Sequence, residues 1–366
     1  MLSTYTLEDS DTWDKIVSFG TSYLEQLKNS IENVEGKIRE KFKDYDVYWL
    51  SGYVKAFKIH GDGEPLLFFY EKGNTRGINV VMKRDIARDP HFSGLMSEDT
   101  YFDFSSPYGY GGWIIEGECY SNLFEDYEGW CVNNNIISEF TRFHPLLENY
   151  KKCSGNYEVI PLGNTIAMNI VSPDIIWNNI TSKNRNMIRK AKKNGVVVYS
   201  GRYPEIFQTF RNIYNSTMDK DNAEKYYYFS SNFYQSILND LPQNAQVFYA
   251  VYENNIIAAS IILAANGKLN YHLSGSIKEY SNLAPTNLLL YEVALWGCAN
   301  GYKTFYLGGG VGSGNDNLYK FKKSFYRLDD EKRFYIGKKI FVQNIYNELL
   351  GMRGNTNSSF FPSYRG

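Results

Sequence analysis

The sequence predicts an α/β protein of two domains, each a mixed, mainly antiparallel sheet flanked by helices. Its 366 residues and 42.3 kDa exceed the roughly 250–300 residues over which one hydrophobic core usually keeps growing. With 43% hydrophobic and 22% charged residues, the chain has enough apolar side chains to bury two cores. Both halves also show the same order of helices, three strands, a loop, a helix and a strand. These observations together exclude a disordered chain and a single small domain.

The first half contains helix signals at both ends of a group of strands. Helical periodicity predicts one or two helices over Thr12–Phe42 and another over Ser121–Val132. Runs rich in β-branched and aromatic residues predict four strands, at Leu66–Tyr70, Ile78–Met82, Tyr101–Phe104 and Ile136–Arg142. The glycine and asparagine between Lys72 and Gly77 are typical of a hairpin connection. The third strand leads into a glycine-rich loop at residues 105–112.

The second half repeats that order with similar lengths and little residue identity. Its predicted strands are Val247–Tyr252, Ile256–Ala264, Leu269–Ser274 and Thr304–Leu307, and its predicted helices are Ile175–Asn194, Pro204–Met218 and Pro285–Asn300. The pair Asn266-Gly267 favours a tight type I′ hairpin. We therefore infer a structural duplication, with domains at residues 1–155 and 156–350 and with residues 331–366 packing back on the first domain.

Charge and composition exclude several classes of protein. Thirty-nine basic and forty acidic residues give a net charge of −1, so no overall field draws the chain to nucleic acid or anionic lipid. The longest apolar stretch, Ile256–Ala265, is about half as long as a membrane span, and the acidic start does not resemble a signal peptide. The four cysteines and four histidines are scattered, without metal-ligand spacing. A cytoplasmic protein without a membrane span or a metal is expected.

The strongest local charge bias lies at Lys183–Lys193, which has six basic residues and no acidic one. At about 100° per residue, Arg185, Arg189 and Lys192 fall on one strip of a helix. Guanidinium groups on such a strip make bidentate contacts with phosphate oxygens. A solvated basic face is the alternative interpretation.

A second candidate site lies at the strand Leu269–Ser274. Alternation predicts Leu269, Tyr271 and Leu273 on one face and Asn270, His272 and Ser274 on the other. The polar face could line a cleft, with His272 either as a structural histidine or as a general base. The loop that follows ends at Leu283–Asn287, where a helix begins, and free amides at a helix start bind phosphate.

Two further segments lie after the last strand. Residues 307–314 contain five glycines but lack the spacing of a phosphate-binding loop, so they are either a flexible connection or a place where backbone approaches a ligand. In the next segment, Asn317–Phe325, a helix would put Lys322 in one stripe with Leu318, Phe321 and Phe325. A lysine there must reach solvent or meet a partner, which is an anion or acyl donor in one interpretation and a structural salt bridge in the other.

Taken together, these motifs resemble those of the FemAB-like branch of the GNAT acyltransferase superfamily, including bacterial proteins linked to cell-wall or capsule polysaccharide synthesis. The resemblance covers most of the chain and depends on six segments, which are Ser106–Gly112, Glu139–Leu147, Asn184–Ala191, His272–Ser276, Leu307–Gly310 and Phe321–Phe325. It implies two tandem GNAT-like domains and transfer of an acyl group to an amine.

The resemblance implies one of two donors. The wider superfamily uses acyl-coenzyme A, with acetyl-coenzyme A as the expected form, whereas members similar to the peptidoglycan bridge-forming enzymes take an aminoacyl group from transfer RNA. The coenzyme A pyrophosphate signature R/Q-x-x-G-x-G/A is absent, and Ser281–Asn287 occupies its position. The long coiled-coil arm of some bridge-forming enzymes is absent as well. Both donors therefore stay open.

The resemblance also implies roles for individual residues. Lys322 matches the lysine of the family's F-K-x-x-F motif and would neutralise donor phosphate or developing negative charge. His272 would accept the amine proton, unless the transfer is assisted by the substrate and needs no protein base. The donor would lie over Ser274, Leu283, Ala284, Thr286 and Asn287. The acceptor, an amine such as a nucleotide-linked amino sugar, would be held by Tyr108, Arg142, Arg185 and Arg189.

Two other classes of function stay open. The 32 tyrosines and the missing pyrophosphate signature favour a non-catalytic carbohydrate-binding or scaffold protein on a GNAT frame. The segment Lys183–Lys193 would instead favour nucleic-acid binding, with an affinity that falls steeply with salt.

Overall fold

The computed structural model describes residues 1–18, 42–354 and 360–366. The chain divides into two units, one of Met1–Pro161 with Phe334–Gly366 and one of Leu162–Arg333. The predicted range 156–350 extends past Arg333. The sequence pattern does not reveal that the strand after Arg333 pairs with Ser138–Phe143 of the first unit.

The first unit holds a six-stranded sheet with one short extra strand. Its strands are β1 Leu2–Tyr5, β2 Glu64–Lys72, β3 Thr75–Asp85, β4 Phe102–Ser105, β5 Ile114–Glu116, β6 Ile136–Phe143 and most of β13 Lys332–Ile340. The residues of β13 that belong to this unit begin at Phe334. Its helices are α1 Ser10–Val17, α2 Ser51–His60, α3 Ser121–Asn133, α4 Tyr150–Cys153 and α11 Gln343–Arg353. The sheet order is β1-β2-β3-β4-β6-β13, with β5 on β3. Of the predicted helical region Thr12–Phe42, residues 19–41 lie outside the described residues.

The second unit repeats this architecture. Its strands are β7 Glu158–Asn169, β8 Val197–Gly201, β9 Ala245–Tyr252, β10 Asn255–Ala265, β11 Lys268–Ser276 and β12 Thr304–Gly308. Its helices are α5 Pro173–Asn179, α6 Ser182–Lys193, α7 Pro204–Lys220, α8 Ser231–Asp240, α9 Pro285–Ala299 and α10 Asn317–Lys323. The sheet order is β7-β12-β11-β10-β9-β8.

The two sheets share one pattern of strand pairing, although the strand beside β6 comes last in the chain and the strand beside β12 comes first in its sheet. The shared pattern supports the inferred duplication. In each, the strands are antiparallel except for one central pair, β4 with β6 and β11 with β12. A helix lies between the members of each parallel pair along the chain, α3 in the first unit and α9 in the second. The predicted mixed, mainly antiparallel sheets flanked by helices are confirmed.

Helix caps divide a segment that periodicity alone predicted as one helix over Ile175–Asn194. The Ser172 hydroxyl accepts from the Ile175 amide at 3.2 Å and starts α5. The Thr181 hydroxyl accepts from the Asn184 amide at 3.4 Å and starts α6. Two short helices therefore replace the single long one.

Packing in the second unit fixes β11 between helices. Ile188 and Ala191 of α6 and Leu289 and Val293 of α9 are buried in one apolar core with Leu269 of β11. The helix α7 lies directly on the β11 backbone, because a Cβ added at Gly275 would stand 2.8 Å from the Ile213 carbonyl oxygen. Glycine is therefore required at this contact.

No helix within the described ranges has both the length and the apolar character that crossing a membrane requires.

Candidate active site in the second unit

The parallel strands β11 and β12 separate after three residue pairs. Along their described length, pairing runs from Lys268 with Thr304 to Asn270 with Tyr306, while β11 continues to Ser276. Backbone groups of β11 beyond Asn270 are thus not used by β12. A gap with exposed backbone donors and acceptors is a natural place for a ligand with a reacting carbonyl.

A β-bulge at His272 changes which side chains of β11 share a face. Ile261 lies opposite Leu273 and Ile262 opposite Tyr271, so His272 is the extra residue. Tyr271 consequently forms side-chain hydrogen bonds with Ser274. The predicted placement of these two residues on opposite faces is wrong, because the bulge interrupts the strict alternation.

Lys322 lies buried beside this gap. Its side chain extends from α10, the residue is 8% exposed, and its Nζ donates to the Gly309 carbonyl oxygen at 2.7 Å. The same Nζ is 5.8 Å from the centre of the Tyr271 ring. Burial lowers the pKa of Lys322 to about 8, although the negative charge of Asp316 partly opposes the shift. The partner of Lys322 is therefore a backbone carbonyl, not the salt bridge that one interpretation predicted.

Asp316 holds the glycine-rich segment and starts α10. Its Oδ1 accepts from the Tyr319 amide at 2.8 Å and its Oδ2 from the Val311 amide at 2.9 Å. A Cβ added at Gly310 would collide with this carboxylate. The segment is thus packed closely around Asp316, and this packing fixes the helix that carries Lys322.

Burial makes His272 a much weaker base than an ordinary histidine. Desolvation lowers the pKa of His272 to about 3, so the ring is neutral throughout the physiological range. A group with so low a pKa is a weak proton acceptor at neutral pH. The structure therefore gives no electrostatic support to the predicted role of His272 as a general base.

The residues predicted to hold the donor form two groups. Thr286 and Asn287 lie in the first turn of α9, directly after Pro285, where backbone amides have no partner within the helix. The Asn287 side chain donates to Asn184 Oδ1 at 2.8 Å and connects the start of α9 to α6.

The other three predicted donor residues are engaged in packing or in sheet contacts. The Ser274 and Ser260 hydroxyl oxygens are 2.8 Å apart. The Leu283 side chain packs on the apolar core. Ala284 is buried and adopts a left-handed conformation, with φ 53° and ψ 47°. These residues shape the loop before α9, while Thr286 and Asn287 carry the groups that suit an anion.

The predicted basic strip lies along two aromatic rings. The guanidinium carbons of Arg185 and Arg189 are 5.9 and 5.0 Å from the Trp177 ring centre. The Trp177 and Tyr291 ring centres are 5.3 Å apart, and Lys192 Nζ is 5.1 Å from the Tyr291 ring. We call Arg185, Arg189 and Lys192 with these two rings the basic strip. Cations over aromatic faces form a surface suited to phosphates and bases.

Two predicted acceptor residues lie in the first unit. The Tyr108 ring stacks on Phe57 at 5.3 Å between ring centres, and the Tyr108 carbonyl accepts from the Tyr53 hydroxyl at 2.6 Å. Arg142 is exposed, and its Nε donates to the Gly109 carbonyl at 3.0 Å. Arg142 thereby holds the loop at residues 105–112 and leaves its terminal nitrogens at the surface.

Within the described part of the chain, no three His, Cys, Asp or Glu residues form a group that could hold a metal ion.

Residues 181–323 match the family model of the acetyltransferase (GNAT) domain, and this range contains β11, β12 and Lys322. No curated protein is similar in sequence to the chain.

Solved structures show the fold of the whole chain. The crystal structure of FemX has a TM-score of 0.62 at 13% identity and covers 95% of this chain and 99% of its own. A conserved protein of unknown function from Bacteroides thetaiotaomicron has a TM-score of 0.57 at 9% identity, covering 92% and 99%. The C-terminal domain of a putative lysylphosphatidylglycerol synthetase from Agrobacterium fabrum has a TM-score of 0.50 at 12% identity, covering 80% and 88%. Residues 181–323 thus match the acetyltransferase (GNAT) domain model, and the chain has the fold of these solved structures.

Proposed function

We propose that this protein transfers an acyl group to the amine of a small acceptor at the gap between β11 and β12. The observation that carries the proposal is the buried Lys322, whose ammonium group lies between Gly309 and Tyr271. A cation fixed in a desolvated site stabilises negative charge that develops on a donor far more than it would in water.

The reaction that fits is direct attack by a neutral amine on a thioester or ester carbonyl. The new C–N bond forms, the bond from carbon to the leaving sulfur or oxygen breaks, and the amine proton passes to the leaving group. Backbone amides of β11 beyond Asn270 would stabilise the oxyanion. Because the pKa of His272 is about 3, transfer assisted by the substrate replaces a protein base in this proposal.

Replacing Lys322 with Met tests the site directly. Methionine keeps the apolar volume but removes the charge, so turnover should fall at least tenfold while the thermal unfolding temperature stays close to that of the wild type. Lys320→Met serves as a matched control, since Lys320 lies on the same helix and is exposed. Full activity of Lys322→Met would remove Lys322 from the mechanism.

Acyl-coenzyme A is the first candidate donor. The GNAT domain match and the amides of Thr286 and Asn287 at the start of α9 support it. Calorimetric titration of the full chain with coenzyme A should show saturable micromolar binding. Substituting Thr286 with Pro, which removes one of these amides, should weaken that binding.

Aminoacyl transfer RNA is the second candidate donor, and the basic strip is the observation that favours it. Binding of charged transfer RNA should fall steeply with salt and should weaken in Arg185→Met and Arg189→Met, whereas coenzyme A binding should not change in these variants. Lys190→Met is the control, since Lys190 lies on the same helix outside the strip. Failure of both donors to bind would favour a carbohydrate-binding or scaffold protein instead.

An anionic amine, such as a nucleotide-linked amino sugar of a surface-polysaccharide precursor, is the acceptor class that we propose. Arg189 lies in the same unit as the gap, and its exposed guanidinium suits a phosphate of such a molecule. Arg189→Met should then raise the KM for a nucleotide-linked amino sugar with little change in kcat. A KM equal to that of the wild type would exclude Arg189 from acceptor binding.

A further inference from the structure

A cavity in the second unit is lined by none of the predicted site residues. It has a volume of about 280 Å³ and lies between α7 and α8. Pro204, Phe207 and Leu238 form its apolar lining, and Arg211, Ser231 and Tyr234 are among its polar lining residues. Its size is near the lower end of known small-molecule sites, so its occupant would be small.

Two polar atoms in the wall of this cavity are buried without a hydrogen-bond partner among residues 1–18, 42–354 and 360–366. They are Nε of Arg211 and the hydroxyl oxygen of Tyr234. Tyr234 is 3% exposed, so its hydroxyl cannot simply be solvated by bulk water. Leaving a buried donor unpaired is unfavourable, and more so for a charged group. A pair of such atoms in one cavity wall therefore calls for a ligand.

The charge of Arg211 is not neutralised by a side chain in the described parts of the chain. Its Nη1 donates to the Ser231 hydroxyl at 2.6 Å. Ser231 is the first residue of α8, and a helix start adds partial positive charge. The guanidinium is also close enough to Tyr234 to lower the pKa of that phenol, which burial raises. The acidic lining residue, Glu205, is exposed and forms no ion pair with Arg211.

We propose that this cavity binds a small organic carboxylate with a compact apolar body. The carboxylate would accept from Arg211 and from the Tyr234 hydroxyl, and the apolar body would pack on Phe207 and Leu238. Guanidinium and phenol donors suit a carboxylate, because both donate hydrogen bonds and the guanidinium supplies the opposite charge. This site is distinct from the gap between β11 and β12 and does not depend on the proposed acyl transfer.

Binding of benzoate and isobutyrate to the full chain tests the proposal, measured by ligand-observed NMR titration at constant ionic strength with chloride. Benzyl alcohol, which keeps the ring and lacks the charge, is the ligand control. We expect saturable binding of at least one carboxylate with one site per chain, and at least tenfold weaker binding of the alcohol. Absence of saturable binding by both carboxylates would overturn the proposal.

Variants locate the binding. Arg211→Met should weaken carboxylate binding at least tenfold and Tyr234→Phe about threefold or more, in line with the strength of hydrogen bonds to charged groups. Arg327→Met removes an exposed arginine of the same unit and should leave the affinity unchanged. Unchanged affinity in Tyr234→Phe, which removes one oxygen atom and keeps the packing, contradicts the proposal even if Arg211→Met fails to fold.

Discussion

Lys322 shows how a single buried charge determines the chemistry of the proposed site. The sequence predicts an apolar stripe on this helix, and the lysine within that stripe is distinguishable from its neighbours. The sequence does not predict its contacts with the Gly309 carbonyl and the Tyr271 ring, because these come from other segments of the chain. The sequence therefore predicted the residue, and the fold supplied its surroundings.

The pH dependence of turnover should follow the charge of Lys322. Since its pKa is lowered to about 8, the protonated fraction falls as the pH rises through 8, and kcat should fall with it. In Lys322→Arg the guanidinium stays charged, so the decrease should move to higher pH. A kcat that instead rises through pH 8 and loses that rise in the arginine variant would identify the lysine as a base.

The lowered pKa of Lys322 should also make the free energy of unfolding depend on pH, and this quantity should rise with pH where kcat falls. The unfolded chain keeps the proton of Lys322 up to its ordinary pKa of 10.5, whereas the folded protein releases it near 8. The unfolded state thus binds more protons between these values, so the free energy of unfolding should rise with pH there. Chemical denaturation at pH 8 and 10 measures this slope, which should be smaller in Lys322→Met.

Asp103 is a buried carboxylate that anchors the described C-terminal residues in the first unit. Its oxygens accept from Arg84 Nε at 2.7 Å, from Arg365 Nε at 2.6 Å and from the Tyr364 hydroxyl at 3.0 Å. Burial by itself raises the pKa of Asp103, but the two guanidinium groups outweigh it and lower the pKa. Its stabilising effect is therefore present above pH 3.8 and lost as the pH falls below that value.

Asp103→Asn should destabilise the protein by about 3–5 kcal/mol at pH 7, because two guanidinium groups lose their shared counter-charge. Urea denaturation followed by tryptophan fluorescence would measure the change. Glu98→Gln removes an exposed ion pair with Arg88 and should cost less than about 1 kcal/mol. Equal effects of the two substitutions would contradict the anchoring role.

Among elements, α10 is positioned by its N-cap. Asp316 starts the helix and also binds the Val311 amide in the glycine-rich segment. Asp316→Ala should cost about 1 kcal/mol of stability and reduce turnover more than stability alone explains, since α10 carries Lys322. Asp316→Asn keeps a capping oxygen and should restore most of the activity, as measured in the same acyl-transfer assay. An alanine variant with wild-type kcat would contradict this positioning.

Strands were predictable where side chains alternate or are continuously apolar, as in β9, β10 and β11. The prediction did not include the short strands β1 and β5, nor β7, β8 and β13. Pro161 and Gly163 interrupt the β7 pattern, β8 has two exposed residues among its apolar ones, and β13 carries four basic residues. Their partners in the sheets, not their own composition, stabilise them as strands.

At the scale of the whole molecule, the first unit is completed by residues at the other end of the chain. Tyr346, Leu349 and Tyr364 are buried in one core cluster with Ile86 and Ile137. A chain that ends at Arg333 lacks these three side chains and one of the two strand partners of β6.

Hydrogen exchange of a chain ending at Arg333 should therefore show lost protection in β2, β3 and β6, while β9, β10 and β11 stay protected. The second unit keeps its own core, which includes Ile262, Leu269 and Val293. Mass spectrometry of exchanged peptides gives this comparison. Simultaneous loss of protection in both units would mean that they unfold as one cooperative body.

The sequence by itself determined the architecture class, the duplication, most strands of both sheets and the importance of Lys322, because these follow from local periodicity and from the cost of burying charge. Only the tertiary structure decided the bulge at His272, the loop built around Asp316, the cavity beside Arg211 and the pairing of β13 with β6. Each of these depends on contacts between residues far apart in the chain, and local patterns carry no information about such partners.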